Sequence, residues 1–294
     1  MSTVAAESRL DSFLASARTQ WIILKICLEE RLVYRGDFAL GTFMRFLPIV
    51  TQIFLWGAVF TSLPAQKTGE TQQILGYSYE NFIAYYLLTY ISRAFSSMPG
   101  LAGGISRDIR DGSLKRFLIQ PVDMITYLFW SRVAHKLVYY MVATGPLALL
   151  FFLCRGYFPA GWPPMETLAA FVASLVMAFL LGFLLESTMG MSAFWFGEVS
   201  SLVFVYMLFS FFFSGHMFPI DMLPNYPYLP LRELVELIPL QYLAYFPSAV
   251  FLEKVQGADL VRGLLIQAGW VVALFVANRV VFHYGVKRYS AYGG

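Results

Sequence analysis

Long apolar stretches separated by short polar segments run along most of this 294-residue chain. An apolar helix of about 20 residues is long enough to cross the roughly 30 Å hydrocarbon layer of a bilayer. The pattern predicts six such spans, at about 38–60, 78–98, 124–152, 166–188, 194–217 and 260–282. We therefore expect an all-α polytopic membrane protein, in which residues 38–283 form a single transmembrane domain and residues 284–294 a cytoplasmic tail.

The segment before the first span has a different pattern. Its apolar residues recur at steps of three and four and its charged residues lie off that stripe, as in an amphipathic helix. The stripe consists of Leu10, Phe13, Leu14, Ala17, Trp21, Leu24, Leu28 and Leu32. Because this segment is too charged to span, we predict that residues 1–37 are a cytoplasmic N-terminal part, whose helix lies at the membrane surface with Trp21 at headgroup depth.

Residues 218–259, which we call the outer region, separate the fifth and sixth predicted spans. They hold six of the 14 prolines, so one unbroken helix is excluded. Short helices at 231–238 and around 242–251 would form a re-entrant helical hairpin, which is tolerated only where protein buries the broken backbone. A surface loop is the alternative, and the Leu, Tyr and Phe content favours the re-entrant hairpin.

Composition agrees with a membrane environment. Hydrophobic residues make up 58% of the chain and charged residues 13%, whereas soluble domains carry roughly 25% charged residues. Lys and Arg concentrate in the N-terminal helix, in the loop after the second span and in the C-terminal tail. Since such residues mark cytoplasmic ends, we predict that both termini and that loop are cytoplasmic. The net charge of +3 then reflects topology, and no nucleic-acid partner is expected.

Motifs that would indicate an enzyme are missing from the sequence. It contains no H-E-x-x-H, no G-x-S-x-G and no P-loop G-x-x-x-x-G-K-[ST], and its three histidines are far apart. We expect no catalytic residue, no metal and no cofactor on this chain. An intramembrane enzyme that uses Glu186, Glu198 and His135 is one alternative.

The most informative polar segment lies between the second and third spans, in a coupling region that we place at 101–123. Ile105 and Ile109 share one helical face there, while the pairs Arg107-Asp108 and Arg110-Asp111 point elsewhere. Gly112 would end this helix, and Ser113 could cap a second one that ends before Pro121. Such a helix suits docking on a soluble partner, and an ordinary solvated loop fits the charges equally well.

This segment resembles the coupling region of ABC-2-type permeases, in which an acidic-basic stretch is followed by Gly-Ser/Thr-Leu and then by Pro. The amphipathic helix, the six spans and the broken hairpin extend the resemblance over nearly the whole chain. The stretch Phe211–Pro219 and the pair Pro239-Leu240 resemble the outer part of that family, and the six-span DUF990-like branch is the most similar.

The resemblance implies a transmembrane permease subunit of an exporter in the plasma membrane, the inner membrane of a bacterium. It would dimerise with itself or with a sister permease, and separate cytoplasmic ATPase subunits would bind ATP and Mg²⁺. The cargo would be amphipathic: a lipid, glycolipid, polysaccharide or drug. A nucleotide-independent channel or lipid scramblase is the alternative.

Carried over onto this sequence, the resemblance implies two groups of functional residues. The ATPase-coupling residues would be Ile105, Arg107, Asp108, Ile109, Arg110, Asp111, Ser113, Leu114 and Phe117. An outer gate would include Phe218, Pro219, Pro239 and Tyr242.

Charged residues in or near the predicted spans need an explanation, since a charge at the bilayer centre costs about 2.5–3.5 kcal/mol on insertion scales. Arg132, Lys136, Glu186 and Glu198 are the chief cases. Snorkelling towards a cytoplasmic end, or a structural pair, is the favoured explanation. The functional alternative is that Arg132 or Lys136 pairs with Glu186 or Glu198 and lines an inner vestibule for a polar headgroup.

Overall fold

The computed structural model describes residues 2–33, 46–62, 73–158, 161–224 and 231–289. In chain order, the α-helices of this part are α1 (Ser2–Val33), α2 (Phe46–Ser62), α3 (Tyr79–Ser96), α4 (Leu101–Arg110), α5 (Lys115–Ile119), α6 (Met124–Leu153), α7 (Met165–Met191), α8 (Ala193–Phe196), α9 (Ser200–Phe213), α10 (Leu231–Leu237), α11 (Tyr245–Phe251) and α12 (Gly257–Arg288). Two short strands, β1 (Gln73–Ile74) and β2 (Tyr77–Ser78), precede α3, and 3-10 turns occupy Arg155–Tyr157, Ile220–Met222 and Pro239–Leu243.

The predicted helical membrane architecture is confirmed in its main character. Among the described helices, α6 (Met124–Leu153), the stretch Met165–Phe196 formed by α7 with α8, and α12 (Gly257–Arg288) are long and apolar enough to cross a membrane. Leu47–Ser62 and Ser200–Phe213 are shorter apolar helices. Helix α3 coincides with the second predicted span to within two residues at each end. The number of six spans stays a prediction, and residues 38–45 of the first span lie outside the described residues.

The fifth predicted span, 194–217, is not one helix. Gly197 adopts φ 70°, a conformation open to glycine, and its N–H bonds to the Ala193 carbonyl at 2.9 Å, which ends α8. A new helix, α9, begins at Ser200 and ends at Phe213. At 1.5 Å per residue this helix is about 21 Å long. The short segment Gly197-Glu198-Val199-Ser200-Ser201 marks this break in the sequence, and the predicted span ran through it because long apolar stretches precede and follow it.

A β-hairpin before α3 was not predicted. Gln73 pairs with Ser78 and Ile74 with Tyr77 in antiparallel register. The two turn residues, Leu75 and Gly76, both have positive φ, 49° and 83°, as the tightest hairpin turns require. The Ser78 hydroxyl then accepts the Asn81 N–H at 3.3 Å, so that the hairpin leads directly into the N-cap of α3.

The described chain divides into two compact units, and unit 1 consists of Met1–Leu47 and Lys115–Leu150. Its core is the packing of α1 on α6, in which Leu24 and Cys27 are buried with Ala134. Leu24 belongs to the predicted amphipathic stripe, whereas Trp21 is 66% exposed. The side chains of Leu10, Phe13 and Leu14 lie outside the described part, and the membrane-surface position of α1 stays a prediction.

Unit 2 consists of Pro48–Leu114 and Phe151–Gly294 and is organised around α7. This helix packs on α3, α4, α11 and α12. The approach to α3 is very close, because a Cβ built on Gly182 would lie 1.8 Å from the Ser96 carbonyl oxygen. Helix α7 therefore acts as the central support of the unit, and glycine is required at this crossing.

The outer region has the broken structure that its prolines predict. Within the described residues it contains two α-helices, α10 and α11, and two 3-10 turns. Every residue from Leu240 to Val250 is buried. Their backbone is therefore enclosed by protein, which is the condition that we set for a re-entrant hairpin. Residues 225–230, with Pro227 and Pro230, lie outside the described part.

Candidate functional site

The coupling region forms a helix with two distinct faces. Leu101, Ala102, Ile105, Ser106 and Ile109 of α4 are buried. Arg107 and Arg110 are exposed, and Asp111 follows them as an exposed C-cap residue. This is the amphipathic helix that the sequence predicts, with its charges turned outward.

The end of α4 is also built as the sequence predicts. Gly112 has φ 75°, so the chain leaves the helix through a left-handed residue. The Leu114 N–H bonds back to the Asp108 carbonyl at 2.9 Å, and the Leu114 side chain is fully buried. Ser113 lies partly buried in this turn. The turn fixes the last residues of α4, so that the charged face has a defined orientation.

The apolar side chains of α4 pack inside unit 2. Ile105 and Ile109 are 2% and 7% exposed, and α4 packs on α7 and α8. A Cβ built on Gly190 of α7 would lie only 2.8 Å from the Ala102 carbonyl oxygen. These side chains hold α4 on its own chain, and the part that Ile105 and Ile109 play in ATPase coupling stays a prediction.

The charged face of α4 is linked to the start of α9. The Arg110 guanidinium forms a salt bridge with Glu198 and lies 3.5 Å from Asp111. Glu198 also accepts the Ser200 N–H at 3.2 Å, at the first turn of α9. The hydrogen bonds from Ser200, followed by the Arg110 charge, lower the pKa of the Glu198 carboxyl. This exposed glutamate therefore carries its charge next to α4.

Phe117 is the one predicted coupling residue that belongs to unit 1. It lies on α5, and its ring packs on Tyr127 with centroids 5.4 Å apart. Helix α5 has no buried residue, and Ile119 is 81% exposed. The predicted coupling residues thus divide between the two units, with Ile105 to Leu114 in unit 2.

The four charges of the predicted inner vestibule also divide between the units. Arg132 and Lys136 lie on α6 in unit 1, where Lys136 is buried. Glu186 lies on α7 in unit 2 and accepts the Met98 N–H at 3.2 Å. Glu198 is exposed in the break before α9 and pairs with Arg110, and its place in an inner vestibule stays a prediction. The pairing across the two units stays a prediction.

The predicted gate residues lie in the outer region and are largely enclosed. Pro219 is buried and begins the 3-10 turn Ile220–Met222, with Phe218 partly buried before it. Pro239 begins the turn Pro239–Leu243. Tyr242 is 4% exposed, and its ring packs on Phe246 at 5.2 Å. Their gating role stays a prediction.

A polar cluster that the sequence analysis did not predict joins the outer region to the β-hairpin of β1 and β2. The Tyr77 hydroxyl donates to both carboxylate oxygens of Asp221 at 3.0 Å. The Lys254 ammonium lies 3.7 Å from Asp221 and 2.9 Å from the centre of the Tyr77 ring. Burial, followed by the Asp221 charge, raises the pKa of Tyr77, and burial lowers the pKa of Lys254. Three segments distant in sequence meet at this carboxylate.

Two buried amides on α12 were also missed. The Gln267 side chain accepts the Ser174 hydroxyl at 2.9 Å and donates to the Ser174 carbonyl at 3.0 Å. Asn278 donates to the hydroxyls of Ser187 and Thr188 at 2.8 and 3.0 Å. A useful signal was present, because isolated amides within a span are expensive unless another helix supplies partners. Both amides tie α12 to α7.

Comparison with known families gives this architecture its identity. A family model described as ABC-2 family transporter protein matches residues 46–293. The chain belongs to the ABC-2 transporter family. No match to a curated protein was found.

Membership in the ABC-2 family confirms the resemblance noted from the coupling segment. ABC-2 permeases are non-catalytic transmembrane components of ABC transporters, and they generally work with ABC ATPases. This ABC-2 chain is therefore a multi-pass membrane permease component.

Proposed function

We propose that this chain is the transmembrane subunit of an ABC exporter. Two permease subunits, either two copies or this chain and a sister permease, enclose the pathway in the plasma membrane, with both termini in the cytoplasm. A separate cytoplasmic ATPase binds ATP and Mg²⁺. The cargo is amphipathic: a lipid, glycolipid, polysaccharide or drug. Family membership and the apolar helices support this proposal.

The observation that carries the proposal is the division of α4 into a buried and a charged face. Ile105 and Ile109 fix the helix to unit 2, and Arg107, Arg110 and Asp111 remain exposed. A helix held in this way can move with a bound ATPase and remain packed on its own chain. The ATPase then binds the charged face, where Arg and Asp provide charge-assisted hydrogen bonds.

Motion of α4 has a direct route into the rest of unit 2. Helix α4 packs on α7, and α7 packs in turn on α3, α11 and α12. Close backbone contacts at Gly190 and Gly182 make this assembly stiff. We infer that ATP-driven movement of α4 shifts α7 and reaches the outer region, in which Phe218, Pro219, Pro239 and Tyr242 form the gate.

Co-purification from the native host tests the proposal. We expect a P-loop ATPase to co-purify with the wild-type chain in mild detergent and to be lost with Arg107→Glu, since Arg107 is exposed and its side chain has no described partner. Arg288→Glu reverses another exposed charge, at the end of α12, and is the matched control. Mass spectrometry of the same sample also reveals a sister permease if one is present.

A third variant distinguishes loss of the ATPase-binding surface from loss of the folded structure. Ile109→Asp places a charge in the buried face and should lower the unfolding temperature, whereas Arg107→Glu should not. If no ATPase co-purifies and the reconstituted chain conducts ions or scrambles lipid without nucleotide, the passive channel or scramblase is the correct function.

A further inference from the structure

A small cavity lies in unit 2, beside the outer region. Its volume is about 90 Å³, several times the roughly 10–15 Å³ that one water needs. The start of α3, the segment after α6 and the end of α11 form its walls. The lining residues are Asn81, Ala84, Tyr157, Phe158, Gly161, Pro163, Phe251, Leu252, Glu253 and Lys254.

Aromatic rings provide much of the apolar wall. Phe158 and Phe251 meet edge to face with centroids 6.2 Å apart. Tyr157 is the third ring on the lining, and it packs edge to face on Tyr79 at 5.7 Å. Aromatic rings attract cations through the negative faces of their π systems. This wall therefore favours a ligand that combines a positive charge with apolar substituents.

Glu253 is held in the lining by an unusual backbone. It has φ 55°, the left-handed conformation that glycine normally supplies at the end of a helix. The Glu253 N–H bonds to the Val250 carbonyl and the Lys254 N–H to the Ala249 carbonyl, both at 3.0 Å, which together complete a Schellman end for α11. Because a left-handed backbone favours glycine, a glutamate at this position suggests that its side chain has a function.

Of the two charged residues that line the cavity, Lys254 has a counter-ion and Glu253 has none among the described residues. The Lys254 ammonium is already paired with Asp221 at 3.7 Å and lies over the Tyr77 ring. Within the described part of the chain, the Glu253 carboxylate has no hydrogen-bond or salt-bridge partner. The cavity thus offers one unneutralised negative charge beside aromatic rings.

We propose that this cavity binds a small organic ammonium group, with Glu253 as its counter-ion and the rings of Tyr157, Phe158 and Phe251 against its alkyl substituents. The ammonium belongs either to a free solute or to a lipid headgroup of the choline type. This site goes beyond the proposed transport function and requires neither ATPase nor dimer.

Calorimetry with choline and with tetramethylammonium tests the site on the purified full chain in maltoside detergent. We expect saturable binding of both cations. Binding of 3,3-dimethylbutan-1-ol, the uncharged carbon analogue of choline, should be weaker by about tenfold or more, because it cannot pair with Glu253. The variant Glu253→Gln should lose choline affinity by a similar factor.

Two further variants test whether a loss of choline binding could result from unfolding. Glu253→Gly removes the carboxylate where the backbone favours glycine, so it should keep the unfolding temperature and still lose choline binding. Glu233→Gln neutralises an exposed glutamate of α10 and should bind choline normally. The proposal is overturned if choline does not bind, if the neutral analogue binds equally well, or if Glu253→Gln keeps full affinity.

Nanodiscs distinguish the two sources of the ammonium group. Choline binding that persists in phosphatidylglycerol discs but disappears in phosphatidylcholine discs identifies the lipid headgroup as the occupant. Equal binding in both identifies a free solute. Binding of inorganic phosphate in place of choline would assign the cavity to Lys254 and overturn the proposal.

Discussion

Gly190 and Ile105 are so close that a Cβ on the glycine would lie 2.9 Å from the isoleucine Cβ. The same added atom would lie 2.8 Å from the Ala102 carbonyl oxygen, which is backbone and cannot rotate away. Helix α4 therefore sits directly on the backbone of α7. A movement of α4 normal to this contact must move α7 with it.

A larger side chain at Gly190 should weaken the packing of α4 on α7. We expect Gly190→Ala to lower the free energy of unfolding by roughly 1–3 kcal/mol, the usual cost of overpacking. Thermal unfolding in detergent measures this change. Gly104→Ala on α4 is the control, because a Cβ there meets no atom within 4 Å, and helix propensity alone should make it neutral or stabilising by up to about 1 kcal/mol. Equal destabilisation by both variants would contradict the close approach.

The periodicity of the sequence was sufficient for α3, α6 and α7, since each is a long apolar stretch bounded by polar or irregular residues. It was insufficient for residues 194–217, where a single left-handed glycine ends α8 within an apolar stretch. A local signal was present, since Glu198, Ser200 and Ser201 follow Gly197, but this polar segment is short compared with the apolar stretches before and after it. The hydrogen bonds around Gly197 and Glu198 show that the helix ends there.

The candidate coupling residues illustrate a second limit of the sequence. Their helical spacing separates Ile105 and Ile109 from Arg107 and Arg110 without any knowledge of the fold. It does not say what covers the apolar face, because a partner and the chain's own α7 have the same chemistry. Contacts between distant segments, such as Tyr77 with Asp221, leave no periodic pattern at all.

The buried amide of Gln267 should stabilise the contact between α12 and α7. In Gln267→Leu the Ser174 hydroxyl and carbonyl lose their described partner, and we expect a loss of about 1–2 kcal/mol in the free energy of unfolding. The double-mutant cycle with Ser174→Ala isolates the bond between the Gln267 amide and the Ser174 hydroxyl, because alanine keeps the carbonyl. If the two single losses simply add, that side-chain bond does not stabilise the protein.

The ion pair between Asp221 and Lys254 should also be measurable, because both side chains are only about one quarter exposed: 24% and 26%. We expect Asp221→Asn to destabilise the chain by about 1 kcal/mol, since Lys254 then loses its counter-ion while Tyr77 keeps an acceptor. In the Lys254→Gln background the same change should cost much less. Unfolding of the four proteins of this cycle at low and high salt provides the measurement, and a vanishing coupling energy at both salts would argue against the pair.

Helix α9 is attached to α3 through its one buried side chain. Ser210 is its one buried residue, and the Ser210 hydroxyl accepts a hydrogen bond from Arg93 of α3 at 3.1 Å. In Ser210→Ala the guanidinium loses that acceptor, which should cost roughly 1.5 kcal/mol because the donor is charged. Amide hydrogen exchange within α9 should then become about tenfold faster.

The matched control for this last prediction is Ser201→Ala, which removes an exposed hydroxyl from the same helix. Exchange in α9 should remain at the wild-type rate in this variant, because its side chain holds no contact with α3. Exchange in α7 should be unchanged in both variants, since α7 is held by α3, α4, α11 and α12. Faster exchange spread evenly over all helices in Ser210→Ala would instead mean global destabilisation, and Ser210 would then not be a local attachment point.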